Sequence, residues 1–407
     1  MDNWRNSVRV IGMDIHRSFA QVAILEDGQI IRELRVDLVY GPLVNFAKTL
    51  SLDDEVVIEA TGNSAAVERL MRPYVKRVAV ANSRLVRAIA YARVKTDKID
   101  AAVLARLHAA GFLPEVWVAD EETLNRRRQI AERMGVLEQL VRLKGRIQAI
   151  LHSNLIPKYS GHLFGKTGRK WLDSLPLPDE ERAMLGRLVV ELERVSAQMA
   201  ELDKVLAQQA LDDPRARRLM TIPGISSVVA STVLASIGDV SRFPSANKLS
   251  SYFGLTPKVR QSGNQPARHG RISKQGNGDA RKMLVEAAWS AKTAPGPLRA
   301  FFVRIQSKRG AAAAAVATAR KLAVMIWHVL SGDAQYHFAR PAFTAMKLRK
   351  VALKAGAPRE YGKAGPGRDY WIKEIRHQEM NYVERAERAY ERMVAAWREK
   401  PKKTAGR

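Results

Sequence analysis

The chain has 407 residues, of which 46% are hydrophobic, so it is long enough for two or three domains with apolar cores of their own. Its 68 lysine and arginine residues outnumber its 41 aspartate and glutamate residues, which gives a formal net charge of +27. A field of that sign favours a polyanionic partner, nucleic acid first, over a small neutral substrate.

The sequence contains no cysteine, which excludes disulfides, thiolate metal sites and cysteine nucleophiles. The first residues lack a basic segment followed by an apolar core, so no secretory signal is expected. The most apolar later stretch, AAAAAVATARKLAVMIWHVL, is broken by Arg320 and Lys321 and is typical of a buried helix. We expect a cytoplasmic protein with no membrane partner.

The first third of the chain predicts a mixed α/β sheet covered by helices. Three β-branched segments, VRVIGMDI, FAQVAIL and IIRELRVDL, are separated by turn-sized gaps and predict an antiparallel meander. Strand-like segments, EVVIEA and VKRVAVA, then alternate with helical ones. The segment KIDAAVLARLHAAGF predicts a further helix that ends at Gly111 and Pro114.

The rest of the chain predicts mainly helices. Between about residues 120 and 210, two charged helical segments are typical of a helical hairpin or a coiled-coil arm. In the second segment, apolar residues recur at spacings of three and four: Leu185, Leu188, Val189, Leu192, Val195, Met199 and Leu202. The sequence therefore predicts four regions, with boundaries at 1–115, 116–212, 213–340 and 341–407.

Four carboxylates in the first region are candidate metal ligands. Asp14 lies inside the apolar run VIGMDI, where an unpaired charge is costly. Glu59 ends a strand at a turn, where the ends of neighbouring strands converge. Asp97 and Asp100 in KTDKIDA share one helix face. Four converging carboxylates repel unless a cation lies among them, and oxygen ligands favour Mg²⁺ or Mn²⁺, the ions used in phosphoryl transfer.

Each carboxylate also has a structural interpretation. Asp97 and Asp100 suit the first turn of a helix capped by Thr96, because the helix dipole favours acids there. Glu59 alone suits a solvated strand end. The combined order of strand aspartate, strand glutamate and helical aspartate pair favours the metal site.

The third region carries a concentrated positive charge. Its start, LMTIPGISSVVASTVLASIGDVSRF, has the pattern of a helix-hairpin-helix whose second helix could accept a DNA phosphate, and an ordinary interhelical turn is the alternative. From Arg242 to Lys282, nine lysine and arginine residues accompany a single acid, Asp279. Glycines and prolines in this stretch predict loops that approach a phosphate backbone.

Ser262, in RQSGN, is the candidate nucleophile, because nearby guanidiniums could hold the phosphate that it attacks. A serine in a glycine-rich loop is more often an ordinary turn residue, and Ser273, in GRISKQG, is a competing candidate. We predict nucleic-acid contacts by four basic residues: Arg260, Arg268, Arg271 and Lys274.

The segments IGMDIH, VVIEATG and KTDKIDA, followed by IPGISSVVASTVLASIGD, YFGLTPKVRQSGN and GRISKQGN, resemble the DEDD-motif transposases of insertion sequences. These are the insertion-sequence family one-ten, with Piv-type DNA invertases as relatives, and the resemblance covers roughly residues 8–335. It implies a ribonuclease-H-like, RuvC-like α/β domain over 1–115 with the four carboxylates as Mg²⁺ ligands. A helical coiled-coil linker over 116–212 would join it to a mainly α transposase domain over 213–340, with a helix-hairpin-helix-like element.

The resemblance also implies how DNA would be processed. Ser262 would attack a DNA phosphate and form a covalent phosphoserine link, at a site that combines both domains within a dimer or tetramer. A noncoding bridge RNA would pair with donor and target DNA, which delegates sequence recognition as in other guided systems. Such a protein would work at the nucleoid of a prokaryotic cell.

Three other functions stay open from the residues. A Holliday-junction-resolvase-like, metal-dependent endonuclease would use water as the nucleophile and only the first domain. An actin-like sugar kinase or ATPase has a similar first phosphate loop, but the sequence lacks a second glycine-rich phosphate loop and is too basic. A non-enzymatic nucleic-acid-binding protein would require a decayed element. The basic extension at 341–407 is either a further nucleic-acid contact or a solvated extension.

Overall fold

The computed structural model describes residues 9–90, 96–359 and 367–399. The chain divides into two compact units, Met1–Asp120 and Glu121–Arg407. The finer division into four regions stays a prediction. Lys95, the first residue of the KTDKIDA segment, lies outside the described residues.

The first unit is a mixed α/β structure with a five-stranded sheet in the order β3-β2-β1-β4-β5. The predicted meander is confirmed, because β1 pairs antiparallel with β2 and β2 with β3, whereas β1–β4 and β4–β5 are parallel. The strands are β1 (Val10–Ile15), β2 (Phe19–Glu26), β3 (Gln29–Asp37), β4 (Glu55–Glu59) and β5 (Arg77–Ala81). The helices are α1 (Tyr40–Ala47), α2 (Ser64–Met71), α3 (Ser83–Ile89) and α4 (Asp97–Ala109), and a 3-10 turn spans Arg72–Tyr74.

Alternation along β1 assigns its side chains to two faces of the sheet. Ile11 and Met13 belong to the apolar core that includes residues of α1 and α2. Because successive side chains of a strand point to opposite faces, Gly12 and Asp14 lie on the other face. Helix α4 packs on that face, against β1 and β2.

Gly12 permits a close approach between α4 and β1. A Cβ atom at this position would lie 2.1 Å from the backbone oxygen of Ala101 and 2.9 Å from the backbone nitrogen of Ala105. Both alanines are fully buried. Small residues on strand and helix therefore let the two backbones nearly touch, which brings α4 directly onto the strand that carries Asp14.

The second unit is mostly helical, and the two long helices expected between residues 120 and 210 are present. The helices α5 and α7 pack against each other, and their apolar side chains form a core with α6. The helices of this unit are α5 (Glu121–Ser153), α6 (Lys166–Asp173), α7 (Asp179–Asp212), α8 (Pro214–Leu219), α9 (Ser227–Ile237), α10 (Ala246–Tyr252), α11 (Gly278–Thr293), α12 (Pro297–Arg309), α13 (Ala311–Ser331), α14 (Pro341–Lys354) and α15 (Lys373–Glu399). A hairpin of β6 (Pro257–Arg260) and β7 (Arg268–Ile272) follows α10, and 3-10 turns span Val240–Arg242 and Arg368–Trp371.

Helix α13 is long and apolar enough to cross a membrane by length and composition alone. However, Leu322, Ala323 and Ile326 are fully buried in the core that α13 shares with α9 and α11. The interpretation of this apolar run as a buried helix is therefore confirmed.

The tail beyond residue 340 packs onto the second unit. Glu387 of α15 is buried and accepts hydrogen bonds from Arg299 of α12, at 2.8 Å from Nε and 2.6 Å from Nη2, and from the backbone N–H of Gly296 at 3.0 Å. Lys354 of α14 donates to Asp203 of α7 at 2.7 Å. Parts of α14 and α15 therefore pack against the rest of the second unit, and a nucleic-acid contact by the tail stays a prediction.

Candidate functional site

The structure brings the four predicted carboxylates together on one face of the sheet. Met13 pairs with Ile58 in the parallel strands β1 and β4, so Asp14 and Glu59 are the next residues at adjacent strand ends. Asp97 and Asp100 occupy the first turn of α4 on the same face. Thr96 caps this helix, since its hydroxyl accepts a hydrogen bond from the backbone N–H of Ile99 at 3.3 Å. Asp97 and Asp100 therefore lie in the first turn of a capped helix and also converge with Asp14 and Glu59, so the two interpretations are compatible.

The electrostatics of Asp14 reflect this crowding. Asp14 is only 6% exposed, and burial raises its pKa because a charged carboxylate is costly away from water. His16 opposes this rise, whereas the nearby carboxylates of Glu59, Asp100 and Asp97 raise the pKa further. The chain thus holds a buried acid among like charges, which is an unstable arrangement without a compensating cation.

His16 is a member of this cluster that sequence reasoning missed. Its Nε2 atom lies 3.2 Å from Oδ2 of Asp14 and 3.2 Å from Oδ2 of Asp97. A strand places residues two apart on one face, so the spacing of Asp14 and His16 in MDIH was the available signal. Within the described residues, Asp14, His16 and Asp97 are close enough together to ligate one metal ion.

The donor set fits a divalent cation. The Nε2 atom of His16 is buried and makes no hydrogen bond of normal geometry, although two carboxylates lie beside it. Carboxylate oxygens are the preferred ligands of Mg²⁺ and Mn²⁺, and an imidazole nitrogen suits Mn²⁺ better than Mg²⁺. An ion among these atoms would offset the repulsion that burial intensifies.

The β6–β7 hairpin concentrates positive charge around Ser262. Arg260 and Arg268 are directly opposite each other in the antiparallel register, at the base of the loop that carries Ser262. Like charges at directly opposed positions are destabilising unless an anion lies between them. The hairpin therefore has like charges close together, as the acid cluster does, but with the opposite sign. A phosphate bound between the two arginines would reduce their repulsion.

The two candidate serines differ in their surroundings. Ser262 is exposed in the loop between β6 and β7, next to Gly263, which has a positive φ of 53°. Ser273 is half-buried, and its hydroxyl accepts a hydrogen bond from the backbone N–H of Gln275 at 3.4 Å. The exposed hydroxyl of Ser262 is the more accessible of the two.

The other two predicted nucleic-acid contacts are separated from Ser262. Arg271 lies three residues further along β7 than Arg268, within the stretch where the pairing with β6 is irregular. Lys274 follows the far end of the strand, where its backbone N–H donates to the oxygen of Gly254 at 3.2 Å. The structure thus groups Arg260 and Arg268 with Ser262 and leaves Arg271 and Lys274 at other positions on the hairpin.

The IPGI turn between α8 and α9 is largely internal. Ile222 and Ile225 are buried, and a Cβ atom at Gly224 would lie 2.1 Å from the backbone oxygen of Ala287 in α11. Lys347 of α14 donates to the oxygen of Ile225 at 2.8 Å, and burial lowers the pKa of this lysine to about 8. These contacts give the turn a packing role, and its contact with DNA stays a prediction.

Both units match family models of transposases. Residues 11–155 match the DEDD transposase model of the IS110 type, and residues 216–303 match the transposase model of the IS116/IS110/IS902 family. The first match contains all four carboxylates and His16, and the second contains the β6–β7 hairpin. The chain belongs to the IS116/IS110/IS902 family of transposases.

Individual relatives carry similar names. A putative transposase of Sinorhizobium fredii is 31% identical over 207 residues, which cover 50% of each chain. The transposase for insertion sequence element IS1111A of Coxiella burnetii is 29% identical over 168 residues, 40% of this chain and 46% of the relative. A pilin gene-inverting protein of Moraxella lacunata is 28% identical over 262 residues, 63% of this chain and 72% of the relative. The chain thus spans about half the length of the first two relatives.

Proposed function

We propose that this chain is a divalent-metal-dependent DNA transposase or recombinase. The convergence of Asp14, Glu59, Asp97 and Asp100 on one face, in a chain of a transposase family, carries the proposal. We further propose that the first unit has a ribonuclease-H-like, RuvC-like fold. The antiparallel β1–β2–β3 meander followed by parallel β4 and β5 supports this assignment.

In this proposal the four carboxylates hold Mg²⁺ or Mn²⁺, with His16 as a further ligand or as a positioning residue. Two divalent ions in such a site would polarise the phosphate and stabilise the attacking and leaving oxygens. The chain itself supplies the geometry, because the close contact of Gly12 with α4 holds Asp97 and Asp100 against the strand end of Asp14. Preformed ligands of this kind need no reorganisation when DNA arrives.

Ser262 is the proposed nucleophile. Its hydroxyl oxygen would attack the DNA phosphorus and lose its proton to a nearby base, while the bond to the departing sugar oxygen breaks and that oxygen takes up a proton. Arg260 and Arg268, paired across the hairpin, would offset the charge on the phosphate. The resulting phosphoserine would conserve the bond energy for rejoining the strand.

The proposed partners are donor and target DNA, together with a noncoding guide RNA, and the chain would act as a dimer or tetramer. The charge of +27 supports a polyanionic partner. In such a division of labour, base pairing reads the sequence and the protein contributes charge, shape and catalysis. The active site would combine the first unit with the hairpin, from one subunit or from two.

The test is a strand-exchange assay with purified protein, the guide RNA from the flanking DNA, and donor and target duplexes. We expect Mg²⁺-dependent exchange in the wild type, loss of cleavage in Asp14→Asn and loss of the covalent adduct in Ser262→Ala. Ser273→Ala is the matched control and should retain the adduct. An adduct that persists in Ser262→Ala would move the nucleophile to Ser273. Cleavage without any adduct would favour a Holliday-junction-resolvase-like endonuclease that uses water.

A further inference from the structure

A cleft of about 560 Å³ lies where the tail packs onto the second unit. Its wall comes from the connection between α11 and α12 at residues 293–295, from the start of α14, from the 3-10 turn at Tyr370 and from the first turns of α15. Ligand clefts commonly have volumes of about 300–1,000 Å³, which is the size range for one nucleotide and not for a duplex. Its lining residues from Arg340 to Met380 lie beyond both segments that match the transposase models, whereas residues 293–295 lie within the second of them.

The charges that line this cleft are positive. Lys373, Arg376 and His377 lie at helical spacings of three and four, so that α15 presents them on one face. Arg340 adds a guanidinium from the start of α14, and none of the described residues that line the cleft is a carboxylate. Glu379 of α15, next to Met380, accepts hydrogen bonds from the backbone N–H of Ala342 at 2.6 Å and of Phe343 at 3.4 Å.

Arg340 forms no salt bridge within the described residues, although the carboxylate of Glu379 partly opposes the fall in its pKa. Within the described residues its guanidinium stacks on Phe343, 4.2 Å from the ring centroid, and donates to the sulfur of Met380 at 3.0 Å. Burial lowers the pKa of Arg340, which reflects the cost of holding this charge away from water. A sulfur atom is a weak acceptor, so a phosphate oxygen would be a far better partner for this side chain.

The cleft also offers an aromatic platform. Tyr370 is half-buried, and its ring lies 5.7 Å from that of Phe343 and 5.5 Å from that of Trp371, measured between centroids. Proteins bind single strands by stacking bases on such rings beside a cationic groove, and each stacked base contributes measurably to affinity. Aromatic and cationic side chains thus converge on a space of nucleotide size.

We propose that this cleft binds one unpaired nucleotide of a single-stranded nucleic acid, with the base stacked on Tyr370 and the phosphate held by Arg340 and Arg376. Its lining residues belong neither to the carboxylate cluster nor to the Ser262 hairpin. This proposal depends on the proposed function in one respect, because both take nucleic acid as the partner. A duplex cannot use the site, because its bases are already stacked within the helix.

The test measures the affinity of the full chain for fluorescent twelve-nucleotide dT and U single strands and for a duplex, in EDTA so that cleavage cannot occur. Tyr370→Ala should weaken single-strand binding roughly tenfold and leave the duplex unchanged, and Tyr370→Phe should restore it. Arg376→Gln should weaken binding and reduce the slope of affinity against salt by about one charge, whereas Tyr370→Ala should leave this slope unchanged. The larger Tyr370 effect, with dT or with U, identifies DNA or RNA as the source of the nucleotide.

Two variants serve as matched controls. Trp397→Ala removes a ring of α15 that is 74% exposed and does not line the cleft, and Arg385→Gln removes an exposed charge of α15 outside it. Both should bind single strands nearly as the wild type does, and thermal unfolding should show that Tyr370→Ala is folded. Equal weakening for single strand and duplex, or effective competition by polyglutamate, would overturn the proposal. Cleavage that persists in Asp14→Asn would overturn the proposed metal site, whereas Tyr370-dependent binding would still support this cleft, so the two proposals fail separately.

Discussion

Two buried carboxylates, one in each unit, have opposite surroundings. Asp14 is 6% exposed and Glu387 is 8% exposed, so both lie largely out of water. Glu387 is matched by two nitrogens of Arg299 and by the N–H of Gly296. Asp14 lies beside His16 and among three further acids that raise its pKa. Glu387 thus has its countercharge within the chain, whereas no lysine or arginine among the described residues pairs with Asp14.

This difference distinguishes buried charges that are paired within the fold from charges that lie among others of the same sign. A buried ion pair with satisfied hydrogen bonds is internally balanced, and removing one member is costly. A cluster of like charges costs stability and persists only where something else requires it. The opposed arginines of the hairpin belong to the second class, with the sign reversed.

The largest expected effect comes from breaking the scaffold of the acid cluster with Gly12→Val. The added side chain would meet the backbone of Ala101, which cannot yield as a flexible side chain can, so we expect a loss of about 3 kcal/mol in the free energy of unfolding. Gly41→Val is the control, because nothing lies within 4 Å of a Cβ atom there. Denaturant unfolding of both variants measures the difference, and an unchanged Gly12→Val protein would show that α4 does not depend on this contact.

A smaller loss should follow from breaking the balanced pair with Glu387→Ala. The change leaves the guanidinium of Arg299 and the N–H of Gly296 without their acceptor, at a cost of about 2 kcal/mol, because Arg299 is still partly solvated. Glu391→Ala, on an exposed position of α15, should change stability by less than about 0.5 kcal/mol. Equal effects of the two variants in thermal unfolding would remove Glu387 as an anchor of the tail.

Asp14→Asn should change the free energy of unfolding in the opposite direction and stabilise the protein. It removes a buried charge from among like charges, so in EDTA at neutral pH we expect a gain of about 1 kcal/mol in stability. Mg²⁺ or Mn²⁺ should stabilise the wild type by mass action and this variant much less. The exposed Asp53→Asn should behave as the wild type in both conditions. Destabilisation by Asp14→Asn in EDTA would show that the carboxylate serves the fold and not a metal.

Much of the first unit could be predicted from the sequence, because its elements follow local patterns. The β-branched runs with short gaps gave the meander, and Thr96 with two acids in the next turn marked the start of α4. Asp14 stood out because a charge within an apolar strand has few explanations. The prediction of two long helices rested on equally local periodicity, and α5 and α7 bear it out.

Other features depended on contacts that sequence spacing does not contain. The register of β6 and β7 sets Arg260 against Arg268 at the base of the Ser262 loop, a pairing that a run of basic residues does not reveal. The contact between His16 and Asp97 exists only because α4 brings Asp97 to that strand end. The sequence of the tail indicates only a basic extension, because the hydrogen bond from Arg299 to Glu387 joins residues that are 88 positions apart in the chain.

The sequence by itself determined which residues are charged, which segments are helices or strands, and which acids are too costly to be incidental, because these follow from local periodicity and from solvation. Only the tertiary structure decided which charges meet and which have partners, because those pairings depend on strand register and on how closely a helix can approach a sheet. Gly12 joins the two levels: it is one small residue in the sequence, and its consequence is the approach of α4 to the strand of Asp14.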